Sequence, residues 1–143
     1  MAILLDTGFL TGISHPMDEQ YSTSARILGE MSEGKYGLIY TTPLVIAETA
    51  TLLLIRSRNN RVVVENFYSY LYGEEKFIRI LPWNTQIEEL TWAMFREINK
   101  DTREKKNYVS FVDAANIAYC RQYQIQYIAS FDSHFDAFLI RIH

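Results

Sequence analysis

The chain opens with the stretch AILLD, residues 2–6, in which four apolar residues lead directly to an aspartate. A short apolar run of this kind is typical of a strand that is buried in a parallel sheet. Four later segments are also predicted as strands, at residues 37–40, 77–81, 126–130 and 138–142. The sequence therefore predicts a sheet whose first strand ends at Asp6, at the edge where ligands gather in such sheets.

Helical segments alternate with these strands. We predict a short helix or turn at 8–14 and helices over 18–33, 43–55, 60–72, 84–99 and 110–123. Thr42 stands before Pro43 as a helix cap, Ser110 opens a capping pattern that ends at Asp113, and Gly73 closes a helix. Strands that alternate with helices predict an α/β fold with three layers, α/β/α, and a mostly parallel central sheet.

The composition is that of an ordinary soluble protein. The 143 residues, 48% hydrophobic and 22% charged, predict one domain over 1–143 with a sizeable core. The longest apolar run is interrupted too soon to span a membrane, and the first residues do not resemble a signal peptide. Cys120 is the only cysteine, so it has no internal disulfide partner and is predicted to be a core residue of a cytoplasmic protein.

One carboxylate lies within an apolar helix, the stretch PLVIAETATLLLI of residues 43–55. The helical period brings Leu44, Leu52 and Ile55 to the same side as Glu48. Burying a carboxylate on an apolar face is costly unless a cation, a proton or hydrogen bonds compensate. The alternative is a helix that turns this face to solvent, with its apolar residues in a subunit contact.

Three other acids stand where strands end or helices begin. Asp6 and Asp132 each follow a predicted strand, and Asp113 lies in the first turn of a helix. Each also has a simpler role open to it as a helix-capping residue. Asp136, four residues after Asp132, is a reserve candidate. Glu48, Asp6, Asp113 and Asp132 have no matching basic partner nearby in sequence, so together they suggest a bound metal ion.

The ligand chemistry favours particular ions and reactions. Carboxylate oxygens suit Mg²⁺ or Mn²⁺ rather than zinc, and such ions activate water for attack on a phosphodiester. His15, His134 and His143 are scattered and are predicted to be surface residues. A glycine-rich phosphate loop, a serine elbow and a supported Cys–His pair are all absent from the sequence.

Four stretches of the chain resemble the motifs of PIN-domain ribonucleases. These are LLDTGFL at 4–10, TPLVIAE at 42–48, SFVDAANIA at 110–118 and IASFDSHF at 128–135. The resemblance implies a Mg²⁺- or Mn²⁺-dependent endoribonuclease with Asp6, Glu48, Asp113 and Asp132 in one acidic pocket. It also implies that Ser130 supports a ligand or positions water. Asn116 faces either this pocket or the helix surface.

The chain is similar in size to the VapC-type toxins within this family. That likeness implies a homodimer, an RNA substrate and an antitoxin protein as partner. The family also contains RNA-processing nucleases that are not toxins, and the sequence does not separate the two. A different class, a non-catalytic PIN-like binding or scaffold module, is disfavoured because all four acids are present.

Two basic clusters and one aromatic cluster are candidates for contact with RNA. Arg56, Arg58 and Arg61 follow the Glu48 helix, and Arg103, Lys105 and Lys106 precede Asp113. Both clusters are equally compatible with solvated turns. Residues 67–72 are rich in aromatic side chains that stack bases in some proteins, but core or dimer packing is the more common role.

Overall fold

A single parallel sheet organises the protein, as seen in a computed structural model that describes residues 1–74 and 76–143. Five strands follow the order β3-β2-β1-β4-β5, and every neighbouring pair is parallel. The strands are β1 Ala2–Leu5, β2 Leu38–Thr41, β3 Arg79–Ile80, β4 Tyr127–Ala129 and β5 Ile140–Ile142. All five predicted strands are thus confirmed, and β1 lies at the centre.

Six α-helices connect these strands within the described ranges. They are α1 Thr7–Ser14, α2 Tyr21–Ser32, α3 Pro43–Arg56, α4 Arg61–Tyr72, α5 Thr85–Asn99 and α6 Phe111–Gln122. Short 3-10 turns cover Lys105–Asn107 and Ser133–Ala137. The predicted caps are present: the Thr42 hydroxyl accepts from the Val45 amide, and the Ser110 hydroxyl accepts from the Asp113 amide. Each cap satisfies an amide that has no partner within its helix.

The alternation of side chains along β1 builds two cores. Ile3 and Leu5 pack on one face with apolar residues of α1, α2, α3 and α4. Leu4 packs on the other face with residues of α5 and α6, among them Cys120. Because successive strand residues point to opposite faces, the sheet lies between two helical layers. The predicted α/β/α architecture is therefore confirmed, and Cys120 is a core residue whose pKa burial raises to about 12.

The register of the sheet places the end of β1 beside the end of β4. Leu5 pairs with Ala129, and the Asp6 amide donates to the Ala129 carbonyl at 3.1 Å. Asp6 and Ser130 thus follow neighbouring strands at the same edge. Parallel strands end together, so this edge collects side chains that are far apart in sequence.

One helix boundary and the geometry of one helix cap differ from the predicted ones for local reasons. The second helix begins at Tyr21 and not at residue 18, because the Asp18 carboxylate accepts the Gln20 amide in a turn. Gly73 ends α4 as predicted, but with an extended backbone at φ −67°. A Cβ there would lie 2.6 Å from the Ser69 carbonyl oxygen, so close approach and not left-handed geometry explains this glycine.

The third helix differs from the prediction in the face that it buries. Val45, Thr49 and Leu53 form its buried stripe, whereas Glu48 is exposed and Ile55 is 65% exposed. The prediction that Glu48 lies on a buried apolar face is therefore wrong. The apolar run of this helix is wider than the stripe that α1 and α4 cover, so the sequence alone does not identify the inner face. No helix among the described residues is long and apolar enough to cross a membrane.

Candidate active site

A cavity of about 640 Å³ opens at the edge where β1 and β4 end. Four acids reach it from four separate elements: Asp6, Glu48, Asp113 and Asp132. Their mutual repulsion is part of the reason that the pKa of Asp113 is raised. Residues spread over most of the chain are thus brought together by the parallel sheet and by the helices that follow its strands.

Asp6 is the most deeply held of the four acids. It is 6% exposed, and both carboxylate oxygens accept a hydrogen bond: Oδ1 from Asn116 Nδ2 at 3.1 Å and Oδ2 from Ser130 Oγ at 2.7 Å. Burial raises its pKa, and the nearby charges of Glu48 and Asp132 add to that effect, while the Ser130 hydrogen bond opposes it. Asn116 itself is fully buried, so the surface role considered for it is excluded.

Asp113 lies in the first turn of α6. Ser110 caps this turn, and its hydroxyl accepts the Asp113 amide at 3.1 Å, which fixes the backbone of the acid. Burial first, and then the charges of Asp6 and Asp132, raise the pKa of Asp113 to about 7. Without a cation, a crowded carboxyl group therefore retains its proton close to neutral pH.

Asp132 begins the 3-10 turn that follows β4. Its amide donates to Ser130 Oγ at 3.0 Å, and its Oδ1 accepts from the His134 amide at 2.9 Å. Asp132 therefore caps this turn and also lines the cavity. Ser130 is the shared link, since one hydroxyl contacts the Asp6 carboxylate and the Asp132 backbone.

Glu48 reaches the cavity from an exposed position on α3. Leu52 and Arg56, one and two turns further along the same helix face, line the cavity with it. Arg56 also lies 3.8 Å from the Asp18 carboxylate. Arg56 is one of the basic residues that the sequence offers as candidates for contact with RNA, and the helix carries its guanidinium into the cavity wall.

Two sequence interpretations of side chains near Asp132 are corrected by the structure. Asp136 does not line the acidic cavity; its carboxylate forms two hydrogen bonds with Arg141, at 2.7 and 3.0 Å, because the 3-10 turn directs it towards β5. His134, predicted as a mere surface residue, lies against the site instead, with Nδ1 3.1 Å from Asp132 Oδ1. Its position two residues after Asp132 is the only signal in the sequence for this role.

The donor set fits a divalent cation. Asp113, Asp132 and His134 each offer a ligand atom, and these atoms all lie within 4.8 Å of one another. Clustered carboxylates need a compensating charge, and oxygen-rich sites are those that Mg²⁺ or Mn²⁺ uses. The acidic cluster is thus able to bind a metal ion.

The family of the chain follows from this arrangement together with its sequence. The family model for the PIN domain matches residues 3–138. The chain belongs to the PIN domain family. The four acids at the carboxyl edge of the parallel sheet are therefore part of a PIN domain. This confirms the family that the four sequence motifs resemble.

Two known proteins resemble this chain over nearly its whole length. A VapC ribonuclease of Archaeoglobus fulgidus is 26% identical over 135 residues, which are 94% of this chain and 80% of the relative. The crystal structure of VapC20 from Mycobacterium tuberculosis, described as a sarcin-ricin loop cleaving toxin, superposes with a TM-score of 0.72. It is 27% identical, and the match covers 94% of this chain and 93% of that one.

A more distant structure has the same fold. VapBC2 from Rickettsia felis, bound to a DNA fragment of its promoter, matches with a TM-score of 0.69 at 12% identity. The match covers 99% of this chain and 97% of that chain. At this identity the likeness shows a common PIN fold alone.

Proposed function

We propose that this PIN protein is a metal-dependent endoribonuclease, the toxin of a toxin–antitoxin pair, that hydrolyses RNA phosphodiester bonds. The observation that carries the proposal is the convergence of Asp6, Glu48, Asp113 and Asp132 on one cavity. The relatives named VapC ribonuclease and VapC20 support the toxin class. These four acids are proposed as the catalytic and metal-binding residues, and residues 1–143 as one nuclease domain.

We assign different roles to the acidic residues of the site. Two hydrogen bonds orient the Asp6 carboxylate, so it is held in one geometry before any ligand binds. The four acids would hold a Mg²⁺ or Mn²⁺ ion, which would supply the positive charge needed to activate water and to stabilise the reacting phosphodiester. Asp113 has a pKa of about 7 without the ion, so it exchanges a proton for a cation near neutral pH.

Water is the proposed nucleophile. Cys120, the only thiol of the chain, lies in the core on the far face of the sheet, and its pKa of about 12 makes it unreactive. Ser130 Oγ donates to the Asp6 carboxylate and accepts from the Asp132 amide, so its hydroxyl positions these two groups and is not the nucleophile. The chain therefore offers an acidic cavity suited to direct hydrolysis, without a covalent enzyme intermediate.

RNA phosphates have two basic approaches to the cavity. Arg56 lines the cavity itself, whereas Arg58 and Arg61 lie exposed beyond the end of α3. Lys106 lies in the loop before α6, and its carbonyl oxygen contacts His134. Basic side chains in these two segments would offset the repulsion between the acids and the RNA backbone.

The proposed partners are an antitoxin protein and a second copy of the chain. Ile55 and Val62 are 65% and 66% exposed near the end of α3 and the start of α4, and Tyr68 and Tyr72 form an exposed aromatic pair along α4. Exposed apolar groups of this kind mark interaction surfaces. We expect Ile55→Glu to shift the protein to a monomer in light scattering, whereas an unchanged mass would count against this dimer surface.

The test of the function compares two variants that carry the same Asp→Asn substitution, one inside the acidic cavity and one outside it. Purified wild type, Asp113→Asn and Asp136→Asn are incubated with a mixed RNA pool, with Mn²⁺ and with EDTA. We expect cleavage by wild type and Asp136→Asn in Mn²⁺ only, and none by Asp113→Asn. Asp136 is the matched control, because it lies outside the acidic cavity and pairs with Arg141.

Each failure of this test has a distinct meaning. Cleavage that survives EDTA, or equal activity in Asp113→Asn, would contradict a catalytic role for the acids. Absence of cleavage with every RNA, combined with retained RNA binding, would favour the non-catalytic binding module. Cleavage without any growth defect on expression, and without a neighbouring antitoxin gene, would favour an RNA-processing nuclease over a toxin.

A further inference from the structure

His134 joins the charged loop before α6 to the acidic cavity. Its Nε2 lies 3.1 Å from the Lys106 carbonyl oxygen, and its Nδ1 lies 3.1 Å from Asp132 Oδ1. The ring is thus held at both nitrogens, one by a backbone group and one beside a carboxylate. The sequence alone predicts no role for this histidine in the site.

The contact at Nε2 decides where the ring hydrogen lies. A carbonyl oxygen only accepts hydrogen bonds, so Nε2 carries the hydrogen, and the uncharged ring keeps a lone pair on Nδ1. Nδ1 is buried and has no hydrogen-bond partner among the described residues. Asp132 Oδ1 is an acceptor as well, and it already takes the His134 amide at 2.9 Å. Two acceptors at this separation require a cation or a proton at Nδ1.

One distance at Nδ1 matches the separation of adjacent ligands around an octahedral ion. With metal–ligand bonds of about 2.1 Å, adjacent ligand atoms lie about 3 Å apart. The separation of Nδ1 and Asp132 Oδ1 is 3.1 Å, and Asp113 offers a third ligand atom within 4.8 Å of both. Thr7 lines the acidic cavity together with Asp113 and Asp132. It is 5% exposed, and its Oγ1 also has no hydrogen-bond partner within the described residues.

We infer that His134 Nδ1 is a ligand of the divalent ion, together with Asp113 and Asp132. The inference rests on the proposed metal-dependent function, and it adds a nitrogen to a site that the sequence predicts to be oxygen-only. The Lys106 carbonyl then acts as the outer partner that fixes the ring and its tautomer. The charged loop therefore supports the metal site through its backbone.

A nitrogen ligand has a consequence for the choice of ion. Mg²⁺ is a hard cation that takes oxygen ligands, whereas imidazole suits transition metals. The protein should therefore bind Mn²⁺ more tightly than Mg²⁺. His134→Gln should weaken Mn²⁺ binding by at least about tenfold, which is the loss that accompanies removal of even an outer-shell partner. Mg²⁺ binding should change less.

The direct test is electron spin-echo modulation of the Mn²⁺-loaded protein, made with natural histidine and with ¹⁵N-histidine. We expect nitrogen modulation from wild type that changes on labelling. It should be lost in His134→Gln and retained in the control His15→Gln. The comparison of labelled and unlabelled wild type needs no variant, so it stands even if His134→Gln folds poorly.

Two results would overturn the inference while leaving the proposed function intact. One is Mn²⁺ bound without histidine modulation, which would mean that a proton and not the ion satisfies Nδ1. The other is modulation that persists in a folded His134→Gln. Absence of Mn²⁺ binding altogether would overturn the metal-dependent function as well, so the two failures are distinguishable.

Discussion

Ser130 Oγ donates a 2.7 Å hydrogen bond to Asp6 Oδ2, although the two residues lie 124 positions apart. Both are almost fully buried, and the same hydroxyl accepts the Asp132 amide at 3.0 Å. One side chain therefore fixes the orientation of one acid and the backbone of a second. This hydrogen bond directly links the first and the last motif of the chain.

Ser130→Ala should reduce cleavage while the protein stays folded. Removing a group that orients a metal ligand typically lowers activity or metal affinity by about 10–100-fold. Steady-state cleavage and Mn²⁺ titration measure both effects. Ser130→Thr, which keeps the hydroxyl, serves as the matched control and should retain most of the activity. Wild-type activity in Ser130→Ala would show that Asp6 needs no such support.

The metal-free protein should lose stability as the pH rises. Asp113 has a folded pKa of about 7 against an ordinary value of 3.8, so its folded form keeps a proton that the unfolded chain releases. The resulting stabilisation is complete below the ordinary pKa and is lost as the pH approaches 7. Melting in EDTA from about pH 5 to about pH 8 should therefore show a falling Tm.

Asp113→Asn should flatten this pH dependence, and Asp136→Asn should not. The pKa of Asp136 is lowered by its hydrogen bond with Arg141, so it titrates below the tested range. Glu30, with a pKa of about 2, also lies outside that range. A slope that is identical in wild type and in Asp113→Asn would contradict the assignment of the raised pKa to this carboxyl group.

Added Mn²⁺ or Mg²⁺ should raise the Tm most at alkaline pH. An ion at 100 times its Kd stabilises the fold by about 2.7 kcal/mol, and each kcal/mol is worth about 2–4 °C for a chain of this size. The gain should shrink near pH 5, because protons compete for the carboxylates. Scanning fluorimetry with and without the ion measures it. A Tm that does not respond to millimolar ion at about pH 8 would argue against a resident metal.

Arg56→Ala should lower the affinity for RNA clearly but should change the free energy of unfolding little. Its guanidinium lines the cavity and is half exposed, so its long 3.8 Å contact with Asp18 is worth about 0–1 kcal/mol. In an Asp113→Asn background, the slope of log Kd against log salt should fall by about 0.7 for each phosphate that the variant no longer neutralises. Arg26→Ala, which breaks an exposed pair with Glu30 on α2, is the control. Equal Kd values for the two variants would exclude Arg56 from the RNA path.

The sequence predicts most of the fold because the signals for it are local. The apolar run in AILLD, the caps at Thr42 and Ser110, and the order of strands and helices all follow from neighbouring residues. The closeness of Asp6 and Asp132 follows from the rule that parallel strands end together, whereas the full set of four acids is what the resemblance to PIN-domain ribonucleases implies. The structure brings Asp6, Glu48, Asp113 and Asp132 to one cavity, and their catalytic role stays a prediction.

The features that the sequence does not predict depend on contacts between distant segments. The exposure of Glu48 follows from which stripe of α3 packs on α1 and α4, and an apolar run on several faces does not reveal that choice. The pairing of Asp136 with Arg141 depends on where β5 lies. The place of His134 depends on the Lys106 carbonyl, 28 residues away.

We expect the acids at the edge of β1 and β4 to hold a divalent ion. Anomalous diffraction from a crystal grown with Mn²⁺ locates that ion without relying on activity. We predict a peak in the cavity of Asp6, Glu48, Asp113 and Asp132, at about 2.1 Å from carboxylate oxygens. A peak elsewhere, or an empty cavity at saturating Mn²⁺, would show that these acids do not form a metal site.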